Sequence, residues 1–160
     1  GNTSQPRIVF RDVAELPYSH SRVCSLSSTP NDVRMWSLYA DSHQGVAVEI
    51  DFSGLDGDVH EVSYVDSLPK FGSTILTNPT AVEVLTCKTN HWDYEREYRI
   101  VGANDYFDIS NRIRRVILGL GTPVAIESLL ARILPAQVLI SKAELDHEGV
   151  SIRIGQDIFR

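Results

Sequence analysis

The apolar residues of this chain arrive in short, β-branched runs separated by turn chemistry, and that spacing limits the fold more than any other feature. Val23-Cys-Ser-Leu-Ser27 alternates like a half-buried strand, and Val46-Ala-Val-Glu-Ile50 reads as a buried one. Val59 to Val65, reached through a turn over Gly54 to Asp58, is a further strand, as are Tyr98–Val101, Arg114–Gly119, Val138–Ser141 and Val150–Ile154. A short strand over Arg7–Phe10 and a turn or helix fragment over Asp12–Leu16 precede them. Helical spacing is rarer. Over Val33–Asp41 it puts Val33, Trp36 and Ala40 on one face, flanked by Met35 and Tyr39, with Asp32 as N-cap and Gly45 closing the region. Pro123–Leu134 is the cleanest helix, with Thr122 as cap, Pro123 at the first position and Glu127 in the first turns. Residues 66–80 form a surface connection. Asn78-Pro79 then offers a helix start for Thr80–Lys88, although the β-branched Val82, Val84 and Thr86 suit a strand as well. Irregular alternation without repeats predicts an α+β fold, mainly antiparallel sheets with two or three helices packed on them.

At 160 residues, 42% of them apolar and 22% charged, the chain has the composition of one folded domain spanning residues 1–160. Its opening, Gly1-Asn2 without a methionine, suggests a trimmed start, with residues 1–22 the remnant of a longer N-terminal part. A net charge of −6 excludes a general grip on a nucleic-acid backbone, which needs many cations facing phosphate. Arg112, Arg114 and Arg115 could still line a local basic groove, against the plainer alternative of a solvated strand edge. Cys24 and Cys87 are too few and too far apart for a disulfide framework and fit a reducing cytoplasm. No apolar run approaches the roughly 20 residues of a membrane span, so no membrane partner is expected.

Polar chemistry concentrates in Lys88-Thr-Asn-His-Trp-Asp-Tyr-Glu-Arg-Glu-Tyr-Arg-Ile-Val101, where a charged loop feeds a strand. Loops held by a rigid scaffold are common places for a site. Glu95 and Glu97 are the candidate catalytic acids; the alternative is that they pair with Lys88, Arg96 or Arg99. The pairs His20/Cys24 and Cys87/His91 lack a strong zinc spacing, and no metal site is expected. Neither a G-x-S-x-G elbow nor a P-loop is present, and Gly119-Leu-Gly121 is too short for a dinucleotide fingerprint. Ser27 and Ser28 at a strand end, with Ser37 and Tyr39 on the next helix, complete the candidate set. Trp36 and Tyr39, three apart on a helix, are neighbours able to present an aromatic surface; in the alternative they are core. An aromatic face beside a hydroxyl suits a flat heteroaromatic amide such as nicotinamide.

Two segments resemble a widespread bacterial family catalogued as domain of unknown function 2971. They are Met35-Trp-Ser-Leu-Tyr-Ala-Asp41, followed by Gly45-Val46, and Lys88-x-x-x-Trp92-x-Tyr94-Glu95-x-Glu97-Tyr98-Arg99. The later Val116-Ile-Leu-Gly119, the following helix and Val138–Lys142 follow the family's layout, so the resemblance covers roughly residues 23–154. More distantly, Val23–Ser28, Asp32–Asp41, Val46–Ile50 and Glu95-Arg-Glu97-Tyr-Arg-Ile100 resemble, in that order, the ADP-ribosyltransferase fold.

That resemblance implies a split-sheet enzyme that binds NAD. Ser27 or Ser28 would occupy the strand-end position, and Tyr39 would stack on nicotinamide. Glu97 would stabilise the ribosyl cation, with Glu95 as the acceptor-side acid. Arg11 or His20 would hold the NAD ribose. Ser37 and Trp36 complete the implied cofactor-binding set. The target would be a protein, a nucleic acid or water, in a toxin or a phage-defence component. Two further readings stand beside it: a non-catalytic module with an acidic–aromatic interaction surface, and a nuclease-like enzyme using Glu95, Glu97 and Asp41 with a divalent metal.

Overall fold

Strand pairing gathers the short apolar runs into two separate four-stranded sheets and two small ribbons. The computed structural model describes residues 7–9, 11–12, 21–54, 59–68, 80–149 and 151–159, the side chains of 7–12 and 159 excepted. In chain order the elements are β1 Arg7–Val9, β2 Arg11–Asp12, β3 Arg22–Ser27, α1 Val33–Tyr39, β4 Val46–Ile50, β5 Val59–Glu61 and β6 Ser63–Val65. Then come α2 Ala81–Leu85, β7 Cys87–Thr89, a 3-10 helix over Asn90–Glu95, β8 Glu97–Gly102 and β9 Tyr106–Asp108. β10 Ile113–Leu118, α3 Val124–Ile133, β11 Leu139–Leu145 and β12 Ile152–Phe159 complete the chain. The architecture is α+β with mostly antiparallel sheets, as expected; β6–β7 and β10–β11 are the parallel pairs. The chain divides into two compact units: residues 1–28 with 52–110, and residues 29–51 with 111–160.

The first unit is built on the antiparallel sheet β2-β3-β8-β5. Side chains alternate across a strand, so β3 and β8 each present two faces. One is apolar: Cys24 and Ile100 are buried against Leu26, Phe52, Val59 and Phe107. The other carries Ser25 and Ser27 opposite Arg99 and Glu97. The strand expected over Val59–Val65 is two strands. β5 pairs with β8, whereas β6 pairs with β7, and buried Val62 marks the change of partner. Thr80–Lys88, ambiguous in sequence, divides into α2 and β7. Thr80 caps α2 with a capping box: its hydroxyl accepts from the Glu83 N–H at 3.2 Å, and the Glu83 carboxylate accepts from the Thr80 N–H at 2.7 Å. Asn78 and Pro79, the expected start, lie outside the described residues, as do the Asp12–Leu16 fragment beyond Asp12, the turn beyond Gly54 and most of the connection 66–80.

The second unit is the sheet β12-β11-β10-β4 with a helix on each face. α1 lays Val33 and Ala40 on a cluster of Trp36, Ile117, Ala143 and Ile152. α3 contributes Leu130 to the opposite cluster of Val116, Leu118, Val138 and Ile140, which Leu134 also joins. β4 is an edge strand with Val46 and Val48 37% and 44% exposed and its other residues at most half-buried, contrary to the expectation of a buried strand. Thr122 does not cap α3. Its hydroxyl donates to the Gly45 carbonyl at 3.0 Å, and Pro123 occupies the cap position. After α1 the chain reverses through Asp41, Ser42 and His43, all with positive φ. Gly119 packs so closely on that reversal that a Cβ there would lie 2.1 Å from the His43 carbonyl oxygen.

Candidate functional site

The junction of the 3-10 helix with β8 is a buried, charge-balanced quartet within the first unit. Glu95 and Glu97 are only 3% and 4% exposed. Arg99 reaches back along β8 to Glu97, Nε donating to Oε1 at 2.8 Å and Nη2 to Oε2 at 3.0 Å, while its Nη1 donates to the Leu85 carbonyl. Lys88 Nζ donates to Glu97 Oε2 at 3.1 Å and to Glu95 Oε2. Two acids thus meet two cations, which is what burial of ionised groups requires.

Backbone geometry makes the arrangement fit. Arg96, between the two acids, is left-handed with φ 43° and ψ 54°, a conformation that costs a non-glycine residue about 1–2 kcal/mol. The end of β3 holds it. Ser27 Oγ donates to the Glu95 carbonyl at 2.7 Å, and the Ser28 N–H and hydroxyl donate to the Arg96 carbonyl at 3.1 and 3.3 Å. Tyr64 accepts from the Glu97 N–H at 2.8 Å. Trp92 lies over the Lys88 ammonium, 4.9 Å from ring centroid to Nζ, with Tyr94 beside it. At 39% exposed, Trp92 covers the cation rather than anchoring in the core.

Electrostatics follow from these contacts. Burial works to raise the Glu97 carboxyl, but hydrogen bonds from Arg99, Ser25 and Lys88 and the Arg99 charge outweigh it and hold the group below the usual carboxylate range. Burial also opposes the Lys88 charge, and the two acids reverse that, holding its ammonium above the ordinary lysine value. Cys24, on the apolar face, is pushed up to about 11 by burial and is an inert thiol.

The other expected site residues are distributed as follows. Arg11 lies on β2, paired with Val23 of β3; His20 is outside the described residues. Trp36 is a core residue, 3% exposed, whose indole donates to the Pro30 carbonyl at 2.6 Å. Tyr39, 63% exposed, and Ser37 lie on the outer side of α1 in the second unit, so Trp36 and Tyr39 present no common aromatic surface. Among the described residues, no group of three or more His, Cys, Asp or Glu could hold a metal ion. Two of the basic trio meet acids, Arg114 pairing with Asp51 at 2.8 Å and Arg115 facing Glu49 and Asp157 at 3.6 and 3.9 Å, while Arg112 donates to the backbone carbonyl of Asp51. Acids on two of the three cations count against a groove for nucleic acid, but the expected strand edge is not what the pairing gives: Arg114 and Arg115 lie on β10, which pairs with β11 on one side and β4 on the other.

Tyr64 and Ser25 join the site from distant sequence. Nothing near Lys88–Val101 signals Tyr64, whereas Ser25 was readable from strand alternation two residues before Ser27. No helix among the described residues is long and apolar enough to cross a membrane. Comparisons with protein-family models, curated proteins and solved structures returned no match.

Proposed function

We propose that this chain is an ADP-ribosyltransferase-like enzyme that uses NAD, related to the family catalogued as domain of unknown function 2971, with Glu97 as its central carboxylate. One observation carries the reading. β2 with Arg11, β3 ending in Ser27 and β8 opening with Glu97 are consecutive neighbours in one sheet, and Ser27 is the register partner of Glu97. Three residues assigned to NAD by the resemblance thereby fall on adjoining strands, with Arg11 opposite Val23, four residues along β3 from the Ser27–Glu97 pair. Two four-stranded sheets among the described residues are also compatible with a split-sheet architecture.

The chemistry needs an anion. In such a transfer the bond from ribose C1′ to the nicotinamide nitrogen breaks, its electron pair leaving with nicotinamide. The acceptor then bonds to C1′ and gives up a proton. Glu97, held ionised at neutral pH, opposes the positive charge that develops on the sugar. Glu95 takes the acceptor side. The target is a protein, a nucleic acid or water.

A second reading has its own observation. A quartet with both acids matched by cations is also what a structural clamp needs, and it favours a non-catalytic module with an acidic–aromatic interaction surface. Calorimetric titration of NAD into the protein separates the two. Saturable binding that Arg11→Ala weakens at least fivefold supports the enzyme; no heat up to millimolar NAD leaves the interaction module.

A further inference from the structure

Lys88 sits where the small parallel ribbon meets the start of β8. In β6–β7 it is the register partner of Tyr64. Tyr64 accepts from the Glu97 N–H, and Lys88 donates to the carboxylates of both Glu97 and Glu95. One ribbon therefore holds the backbone at the start of β8 and both of its acids. Arg99 does a different job, spanning Glu97 and the Leu85 carbonyl. Two carboxylates as buried as these repel one another, and one takes up a proton unless a cation stands between them. Trp92 over the ammonium limits the water that could take the cation's place.

We propose that Lys88 is a positioning residue: by bridging Glu95 and Glu97 it holds the two buried acids together and fixes the Glu97 carboxylate for transfer, the last step resting on the transferase reading. The groups facing Glu97 are Arg99 on β8, Ser25 on β3, Tyr64 on β6, Lys88 on β7 and the neighbouring Glu95. His60 on β5 is the register partner of Arg99. Lys88 touches both acids.

The test is carboxylate NMR titration of Glu97 in the full chain without NAD, in wild type, Lys88→Gln and Lys88→Arg. Lys88→Gln is expected to move the Glu97 midpoint up by about one pH unit, a tenfold change in proton affinity, while Lys88→Arg keeps it near wild type. A folded Lys88→Gln protein whose Glu97 titrates as in wild type overturns the proposal. If Lys88→Gln does not fold, Glu95→Gln decides through the lysine ammonium signal. A Lys88 midpoint that falls supports the bridge, and an unchanged one overturns it. NAD turnover is measured separately. Absent turnover with the expected titrations removes the transferase reading and leaves the bridge standing; turnover with unmoved titrations does the reverse.

Discussion

Arg99 closes a two-pronged fork on Glu97, two residues earlier on the same face of β8, with Nε–Oε1 at 2.8 Å and Nη2–Oε2 at 3.0 Å. Such planar pairing orients a carboxylate as well as neutralising it. Arg99→Leu removes the fork and the donor to the Leu85 carbonyl, leaving two buried acids with one lysine. Loss of about 3 kcal/mol of unfolding free energy is expected, by urea denaturation. Arg99→Lys keeps the charge but not the fork and costs about 1–2 kcal/mol. An Arg99→Leu protein within about 0.5 kcal/mol of wild type would contradict this energetic role.

Acid should loosen the first unit through the same carboxylate. Glu97 titrates lower in the folded chain than in the unfolded one. Its contribution is therefore complete above the unfolded value of about pH 4.3 and is lost as pH falls through the lower folded value. The urea midpoint of wild type is expected to drop below about pH 4.5, and Glu97→Gln to show a shallower drop over that window. Parallel acid profiles for the two proteins would place the acid sensitivity elsewhere.

Close backbone approach makes a sharp contrast between two glycines. At Gly119 a Cβ would meet the His43 carbonyl oxygen at 2.1 Å, and at Gly102 it would meet nothing within 4 Å. Gly119→Ala is expected to cost about 3 kcal/mol or more, because backbone on both sides must shift. Gly102→Ala is expected to be neutral or to stabilise by up to about 1 kcal/mol. Thermal unfolding of both variants checks the pair, and similar midpoints would refute it.

Arg96 pays a conformational cost to bury both of its neighbours. Arg96→Gly removes the left-handed strain and should raise stability by up to about 1 kcal/mol, whereas the β-branched Arg96→Val should lower it by about 1–2 kcal/mol. Urea unfolding of the two variants measures this, and the reverse order of stability would contradict the assigned strain.

Much of the fold was legible because strands announce themselves locally: β3, β8 and β10 fall within a residue of their expected places. What escaped the sequence depends on distant partners. β4 has the apolar run of a buried strand, yet it lies at a sheet edge, a property of pairing order. Val59–Val65 is one run in sequence and two strands in space because its halves pair with β8 and β7. The Thr80-Ala-Val-Glu83 capping box was readable and marks the start of α2 better than Asn78-Pro79 does. At the site, the opposed charges of Lys88, Glu95, Glu97 and Arg99 were visible as a clustered set. Tyr64, 33 residues before Glu97, and the left-handed Arg96 carried no local signal, since arginine has no preference for that conformation.

The most direct test of an NAD-using enzyme centred on Glu97 is release of nicotinamide from NAD, followed by chromatography for wild type and Glu97→Gln, with folding checked by circular dichroism. Wild type is expected to release nicotinamide, and Glu97→Gln to do so at least about 100-fold more slowly while still binding NAD. No release by wild type even with protein, nucleic acid or water as acceptor, or equal release by folded Glu97→Gln, would contradict it.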